Sequence, residues 1–194
     1  LFNLVLGGGG TIGHQMSGHS DINAISFTGS VGVGQTIYME AAKSMKKMQL
    51  EMGSKNPLLI MDDADINIAV ACATNGAYGG TGQKCTASSR LIVHEKVYKQ
   101  FIEKLIESIS ALKVGHALEE GSQMGPVSSE TQLQSNLDYV EIGKKEAKLA
   151  YGGSPMNMKT PGHYMEPTLF IDGDNKTTIN QEEMFGPIAC VIPV

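Results

Sequence analysis

Short apolar runs and longer segments with helical periodicity alternate along the chain. Short runs rich in aliphatic side chains and bounded by Gly, Pro or Asn are typical of strands. They predict strands at "LFNLVL", "AISFTG" and "KMQLEM" in the first part of the chain. They predict further strands at "PLLIM", "RLIVHE", "LAYGG", "TLFI" and "ACVIPV". The first run, a largely apolar hexamer, is expected to form a buried strand.

Helices are predicted between these runs. Three are "SVGVGQTIYMEAAKSM", "SSETQLQSNLDYVEIGKKEAK" and "ADINIAVACATNGAY", whose acidic residues suit the positive end of a helix dipole. The segment "EKVYKQFIEKLIESISALKVG" is amphipathic, and we expect Gly115 to stop it. Its apolar stripe comprises Val97, Phe101, Leu105, Ile109 and Leu112. This alternation indicates an α/β fold with a mostly parallel sheet.

A domain boundary is expected near Gly53–Pro57. Two strand–glycine turn–helix units precede it, and the first of them passes through "GGGGTIGHQMSGH". A longer α/β region that includes Cys85 follows it. Because the chain begins with Leu1 and its last strand pattern has no closing turn, we expect an internal piece of a longer protein.

Composition and charge argue against several classes of function. Of the 194 residues, 41% are hydrophobic and 18% are charged, as in ordinary soluble globular proteins. The net charge of −5 and the lack of a dense Lys/Arg cluster argue against a nucleic-acid partner. No apolar run approaches the roughly 18 residues that span a bilayer, so no membrane partner is expected.

The numbers and spacing of cysteines and histidines exclude further kinds of site. Cys72, Cys85 and Cys190 are odd in number and widely spaced, which argues against a disulfide framework and against a CxxC site. This usage favours a reducing, cytoplasmic compartment. The five histidines show no metal-ligand spacing, so we expect no metal.

Cys85 lies in the polar, glycine-rich run "GGTGQKCTASSR". A nucleophilic cysteine must be a reachable thiolate. A helix or turn start would supply free N–H groups that favour a thiolate and hold an oxyanion. Gly80 and Gly82 would permit close backbone approach of a substrate. Cys85 is therefore a candidate nucleophile, and a half-buried inert thiol is the alternative.

Glu51 lies at a predicted strand end in "KMQLEMGSKNP". Open α/β sheets place functional groups at such ends, and a glutamate there could activate water as a general base. The alternative is a solvated glutamate, or one paired with Lys55.

Two further motifs could contact a nucleotide. In "AISFTGSVGVGQ", a strand leads through Gly29 and Ser30 into a helix whose glycines would let its N-terminus approach a phosphate. Tight crossover turns are the alternative. In "INQEEMFGPIAC", Glu182 and Glu183 precede Phe185. The carboxylates could bind ribose hydroxyls, and the aromatic side chain could form one side of a site for a ring. A charged loop before a strand is the alternative there.

Taken together and in this order, "FTGSVGVG", "LEMGSKNP", "GQKCTASSR" and "EEMFGP" closely resemble the motifs of the aldehyde dehydrogenase superfamily. The resemblance covers essentially the whole chain. It implies oxidation of an aldehyde to a carboxylic acid with NAD(P)+, through a thiohemiacetal and a thioester on cysteine. It also implies an incomplete aldehyde dehydrogenase-like fold. Residues 1–53 would be the C-terminal part of a Rossmann-like NAD(P)-binding domain, and residues 54–194 the N-terminal major part of the catalytic domain.

The resemblance also implies roles for individual residues. Cys85 would be the nucleophile, and Glu51 the general base. Cofactor contacts are implied for Gly29 and Ser30 at the phosphates, Met52 and Gly53 along the nicotinamide, Glu183 at the ribose, and Phe185 beside the nicotinamide ring. "MGSKNP" with "GQKCTASSRLIV" looks most like the branch that acts on semialdehydes such as 2-oxoglutarate semialdehyde.

Three interpretations of the chain stay open. In the first, it is part of a working dehydrogenase with a small aldehyde substrate and a homo-oligomeric parent, a dimer or tetramer. In the second, it is a truncated, inactive fragment that serves as a structural or oligomerising module. The family's oxyanion asparagine and ribose-binding lysine lie upstream of this chain, so the chain alone is expected to be inactive. A thiol hydrolase that uses Cys85 with Glu51 is the third, although no histidine is suggestively placed.

Overall fold

The computed structural model describes residues 2–194. The chain forms two compact units, which divide between Gly53 and Ser54. Within the described residues, no helix has both the length and the apolar character needed to cross a membrane.

The first unit is a small parallel β–α–β arrangement. Strands β1 (Ala24–Gly29) and β2 (Lys47–Met52) pair in parallel, and helix α2 (Val31–Ala42) connects them. Before β1, a π-helical turn at Gly9–Gly13 runs into the short helix α1 (His14–Gly18). The predicted glycine-rich turn, both strands and helix α2 are confirmed.

The buried strand predicted for "LFNLVL" is wrong for residues 2–6. They have no regular secondary structure, and Phe2, Leu4 and Leu6 are largely exposed. Leu1 lies outside the described residues. A strand needs a neighbouring strand to satisfy its backbone hydrogen bonds, and within residues 2–194 no strand pairs with this segment.

The second unit is built on a five-stranded sheet in the order β3-β4-β9-β8-β5. These strands are β3 (Pro57–Ile60), β4 (Arg90–Val93), β9 (Ile188–Pro193), β8 (Thr168–Ile171) and β5 (Lys148–Tyr151). The first four are parallel, and β5 pairs with β8 in an antiparallel manner at the edge. The predicted mostly parallel sheet is therefore confirmed.

Helices cover both faces of this sheet. Helices α3 (Ile66–Tyr78) and α4 (Glu95–Ser110) contribute to one apolar cluster, and α5 (Glu130–Glu146) and α6 (Thr178–Gln181) to a second. Strand β9 contributes residues to both apolar clusters. Its residues alternate between the first cluster (Ala189, Val191) and the second (Ile188, Cys190). A strand buried on both faces reads as an unbroken apolar run, which is why "ACVIPV" was recognisable.

Helix α4 ends before the predicted stop at Gly115. Its last residue is Ser110, and the chain then turns away. The backbone of Lys113 pairs with Gln123: its N–H donates to the Gln123 side-chain oxygen at 3.0 Å, and its carbonyl accepts from the Gln123 N–H at 2.8 Å. These bonds end the helix, although Leu112 still packs against the first cluster. The hairpin β6 (Pro155–Met156)–β7 (Tyr164–Met165) and helix α6 were not predicted, because elements this short have no period to detect.

Candidate active site

The chain makes a strained turn between helix α3 and Cys85. Gly80, Thr81 and Gly82 all have left-handed backbone angles, with φ of 63°, 61° and 66°. Glycine adopts them readily, whereas a β-branched residue does so at a cost of about 1–3 kcal/mol. The buried Thr81 side chain is held by donating to the carbonyl of Gly125 at 3.2 Å. Such strain persists only where the surroundings enforce it, and it is common at functional sites.

Cys85 is exposed just after this turn, with its backbone fixed. The side-chain amide of Asn56 donates to the carbonyl of Cys85 at 2.7 Å and to that of Ala87 at 3.3 Å. Within residues 2–194, the backbone N–H of Cys85 meets no acceptor. The turn therefore presents a thiol together with an N–H group that can bind an oxygen of a substrate.

Asn56 was missed in the sequence analysis. It lies directly before β3, and the residue that it holds is 29 positions away along the chain. The one sequence signal for Asn56 was its position in "GSKNP", between the candidate base Glu51 and strand β3. A buried or loop asparagine that bridges two carbonyls cannot be told from a turn asparagine by local pattern.

The three cysteines lie in different surroundings. Cys190 is fully buried in the sheet, and burial raises the pKa of its thiol to about 11, although Asn180 and Lys55 act in the opposite direction. Cys72 is exposed on helix α3. Within the described residues, no group of three or more His, Cys, Asp or Glu side chains could hold a metal ion. Of the three cysteines, only Cys85 lies in a strained loop with backbone donors.

The segment Glu182–Gly186 lies against the strained turn of residues 80–82 that precedes Cys85, called here the Cys85 turn. A cleft is lined by residues of both motifs, among them Gly82, Lys84, Glu183 and Phe185. A carboxylate oxygen of Glu183 accepts the backbone N–H of Ser54 at 3.3 Å. Phe185 is 38% exposed. The second unit therefore brings together the "GQKC" and "EEMFGP" motifs, which lie about a hundred positions apart in the sequence.

The first unit brings together the other two motifs. Gly29 and Met52 are partners in the register of β1 and β2, at the carboxyl ends of both strands. Ser30 caps helix α2, with its hydroxyl accepting the N–H of Val33 at 3.5 Å. Glu51 is exposed one position before Met52, and Gly53 follows the strand. This is the edge at which open α/β sheets bind ligands, and the start of α2 offers N–H groups to a phosphate.

Lys55 carries a buried ammonium group in the second unit. Its Nζ atom has no hydrogen-bond partner among residues 2–194. Burial lowers its pKa to about 8; Cys190 and the carboxylates of Glu182 and Glu183 oppose this shift, while Arg90 adds to it. The folded state therefore disfavours the charged form of this lysine.

We expect Lys55→Met to raise the free energy of unfolding at pH 7 by about 2 kcal/mol, because methionine has a similar shape without the unpaired charge. From about pH 8 to the ordinary lysine pKa of 10.5, the unfolded chain binds more protons than the folded one, so wild-type stability rises with pH. The advantage of the variant should therefore shrink from pH 7 to pH 10 in urea denaturation. The exposed control Lys99→Met should show no such trend. A variant that is destabilised at both pH values would contradict this expectation.

Comparison with known proteins places these motifs in context. The sequence model described as "Aldehyde dehydrogenase family" matches residues 1–194. The chain is 43% identical to the alpha-ketoglutaric semialdehyde dehydrogenase of Bacillus subtilis (strain 168). It is 41% identical to the alpha-ketoglutarate semialdehyde dehydrogenase of Haloferax volcanii. In each case the alignment of 197 residues covers 100% of this chain and 40% of the relative.

A solved structure is also similar. The betaine aldehyde dehydrogenase of Staphylococcus aureus, in complex with NAD+, matches with a TM-score of 0.95 at 36% sequence identity. The match covers 98% of this chain and 38% of that chain. The chain thus spans about 40% of the length of the curated relatives it matches.

Proposed function

The chain belongs to the aldehyde dehydrogenase family, and from this we propose that the complete natural protein containing it oxidises an aldehyde to a carboxylic acid with NAD(P)+. The observation that carries the proposal is the exposed thiol of Cys85, which follows a strained turn and whose backbone is held by Asn56. Cys85 is the proposed nucleophile, and Glu51 the proposed general base.

In the proposed mechanism, the Cys85 thiolate attacks the aldehyde carbon and forms a carbon–sulfur bond. The carbonyl oxygen becomes an oxyanion, and the backbone N–H of Cys85 is available to stabilise it. Loss of hydride from the carbon leaves a thioester on Cys85. Glu51 then removes a proton from water, and the resulting hydroxide attacks the thioester to release the carboxylic acid and the thiolate.

The residues proposed to hold NAD(P)+ suit that group. Gly29 and Ser30 lie at the strand end that leads into the N-terminus of α2, where backbone N–H groups favour a phosphate. Glu183 and Phe185 both line the cleft beside Gly82 and Lys84, so the same cleft offers a carboxylate for ribose hydroxyls and a ring for stacking. Met52 and Gly53 complete the proposed contacts. When bound, the cofactor supplies the hydride acceptor.

The proposed substrate is a semialdehyde, with 2-oxoglutarate semialdehyde as the first candidate. Two relatives above 40% identity are named for alpha-ketoglutaric or alpha-ketoglutarate semialdehyde, which is another name of the same compound. The structural neighbour named for betaine aldehyde is less similar in sequence, at 36% identity. We therefore rank this anionic semialdehyde above a cationic aldehyde.

A second candidate is a non-catalytic module that associates through the first unit. Its supporting observation is the exposure of Tyr38 and Met39 on α2 and of Met45 beyond it, since exposed apolar side chains in a cluster favour association. The same exposure is compatible with the proposed homo-oligomeric, cytoplasmic enzyme. Aldehyde-dependent cofactor reduction by the complete protein would eliminate the non-catalytic alternative.

The test is the formation of reduced cofactor by the complete protein with 2-oxoglutarate semialdehyde, betaine aldehyde and a simple aliphatic aldehyde, each with NAD+ and NADP+. We expect turnover, fastest with 2-oxoglutarate semialdehyde. If none of the aldehyde–cofactor pairs gives reduced cofactor, the proposal is refuted.

Glu51→Gln should lower steady-state kcat by about a hundredfold or more, because general-base catalysis of thioester hydrolysis is lost. A burst of reduced cofactor equivalent to one turnover per site should remain, since hydride transfer precedes hydrolysis. Rapid mixing under single-turnover and multiple-turnover conditions separates the two steps. The exposed control Glu103→Gln on α4 should behave as wild type. An unchanged kcat in Glu51→Gln would remove Glu51 from the mechanism.

A further inference from the structure

The segment that carries Glu183 and Phe185 cannot hold its conformation alone. Phe185 has φ of 52°, a left-handed backbone that is unfavourable for any residue with a side chain. The preceding helix α6 has only four residues, too few to be stable in isolation. The positions of both side chains therefore depend on contacts from elsewhere in the second unit.

Helix α5 supplies a contact at the start of α6, the helix directly before the segment Glu182–Gly186. The two carboxylate oxygens of Glu146 accept the backbone N–H groups of Thr178 and Ile179, each at 3.1 Å, and so satisfy the first donors of α6. Partial burial raises the pKa of Glu146, but the bonds from Thr178 and Ile179 outweigh it, so the net shift is downward. The group is therefore a carboxylate at neutral pH.

A second contact lies at Glu182, the first residue of the segment Glu182–Gly186. The hydroxyl of Tyr139 donates to a carboxylate oxygen of Glu182 at 2.8 Å. Burial raises the pKa of Tyr139 to about 12, and the hydrogen bond and charge of Glu182 act in the same direction. The phenol therefore keeps its proton and remains a donor. Glu182 is the residue directly before Glu183.

A third contact lies at Met184, near the C-terminal end of the segment Glu182–Gly186. The side-chain amide of Gln132 donates to the carbonyl of Met184 at 3.1 Å and to the side-chain oxygen of Asn136 at 2.9 Å. Asn136 is fully buried, and its amide lies so close to Gly186 that a side chain there would collide with it.

The three supporting residues share one face of α5. Gln132, Tyr139 and Glu146 are spaced by seven residues, which places them two helical turns apart on the same side. They contact, in order, Met184, Glu182 and the start of α6. One helix thus holds the segment Glu182–Gly186 at two points and the preceding helix α6 at a third.

We infer that Tyr139 and Glu146 are positioning residues for cofactor binding, because they hold α6 and Glu182 so that Glu183 and Phe185 face the cleft beside the Cys85 turn. The inference rests on the proposed function, since it assigns those two side chains to NAD(P)+. Loss of either contact frees Phe185 to relax to negative φ, and both side chains then move away from their positions in the cleft.

The test compares Tyr139→Phe and Glu146→Gln with matched controls in the complete protein. Tyr98→Phe removes the same kind of bond, from a tyrosine hydroxyl to a carboxylate of Asp172 at 2.8 Å, away from the segment, and also the bond that this hydroxyl accepts from the Asp172 N–H at 2.7 Å. Asp65→Asn alters a carboxylate that accepts two N–H groups at the start of a different helix, α3. We expect the Kd of NAD(P)+ to rise about fivefold in the two test variants, as for loss of one such bond, and to stay within about twofold in the controls. Thermal stability should fall in all four variants, and at least as much in Tyr98→Phe, which loses two bonds, as in Tyr139→Phe, which loses one.

Amide hydrogen exchange supplies a readout that does not depend on activity. Exchange of the amides of residues 182–186 should accelerate in Tyr139→Phe and Glu146→Gln, and not in the controls. A wild-type protein that binds no NAD(P)+ refutes the proposed function, and the positioning role with it. A wild-type protein that binds the cofactor, while both test variants match their controls in Kd or in exchange, refutes the positioning role alone.

Discussion

Replacing Cys85 with serine in the complete protein should lower kcat for aldehyde oxidation by about 10³-fold or more, because a serine hydroxyl is a far weaker nucleophile than a thiolate. The change is one atom on an exposed side chain, so the backbone bond from Asn56 and the fold should persist. The proposed cofactor contacts are other residues, so the Kd of NAD(P)+ should stay within about twofold of the wild-type value. Initial rates of reduced-cofactor formation and a fluorescence titration with cofactor measure both quantities.

The matched control for this result is Cys72→Ser. Cys72 is also an exposed thiol, but it lies on the regular helix α3, away from the strained turn. Its replacement should leave kcat and KM unchanged. If Cys85→Ser kept more than about a tenth of wild-type kcat, covalent catalysis by Cys85 would be ruled out. If both variants lost activity equally, a general sensitivity to thiol removal would explain the result better than a nucleophilic role.

The parts of the fold that were predictable are those with long or unbroken patterns. The apolar stripe of α4 includes Phe101, Leu105 and Ile109, and all three are fully buried. Strand β9 was visible because both of its faces are covered. By contrast, "LFNLVL" has the composition of a strand, but strand formation is decided by a partner elsewhere in the chain, which local composition does not reveal.

The candidate site was predictable by residue type but not by geometry. Gly80 and Gly82 indicated close backbone approach of a substrate near Cys85, yet the left-handed backbone of Thr81 between them is contrary to the preference of a β-branched residue. Asn56 was invisible because its hydrogen bonds reach residues about thirty positions away. The polar residues of α5 have no local sequence pattern that separates them from a solvated helix face. Only their partners in the segment Glu182–Gly186 distinguish Tyr139 from an ordinary surface tyrosine.

Gly82→Ala should lower the free energy of unfolding by about 4 kcal/mol. Gly82 has φ of 66°, where a side chain costs about 1–2 kcal/mol. An added Cβ would lie 2.6 Å from the carbonyl carbon of Gly186, closer still to its oxygen, and 2.9 Å from the carbonyl oxygen of Ala77. All of these atoms belong to the backbone, so no side chain can rotate aside, and the overpacking term lies at or above its usual range of about 1–3 kcal/mol.

Urea denaturation of Gly82→Ala beside Gly32→Ala tests this expectation. A Cβ at Gly32 meets nothing within 4 Å, and the residue lies in helix α2, so alanine there should stabilise by up to about 1 kcal/mol. Gly82 is three residues before Cys85, and Gly186 directly follows Phe185. The clash therefore pushes the proposed nucleophile and the proposed nicotinamide contact apart, so in the complete protein Gly82→Ala should also weaken NAD(P)+ binding and slow acylation. A variant that lost less than about 1 kcal/mol of stability with normal kinetics would show that the turn and the segment Glu182–Gly186 can separate without consequence.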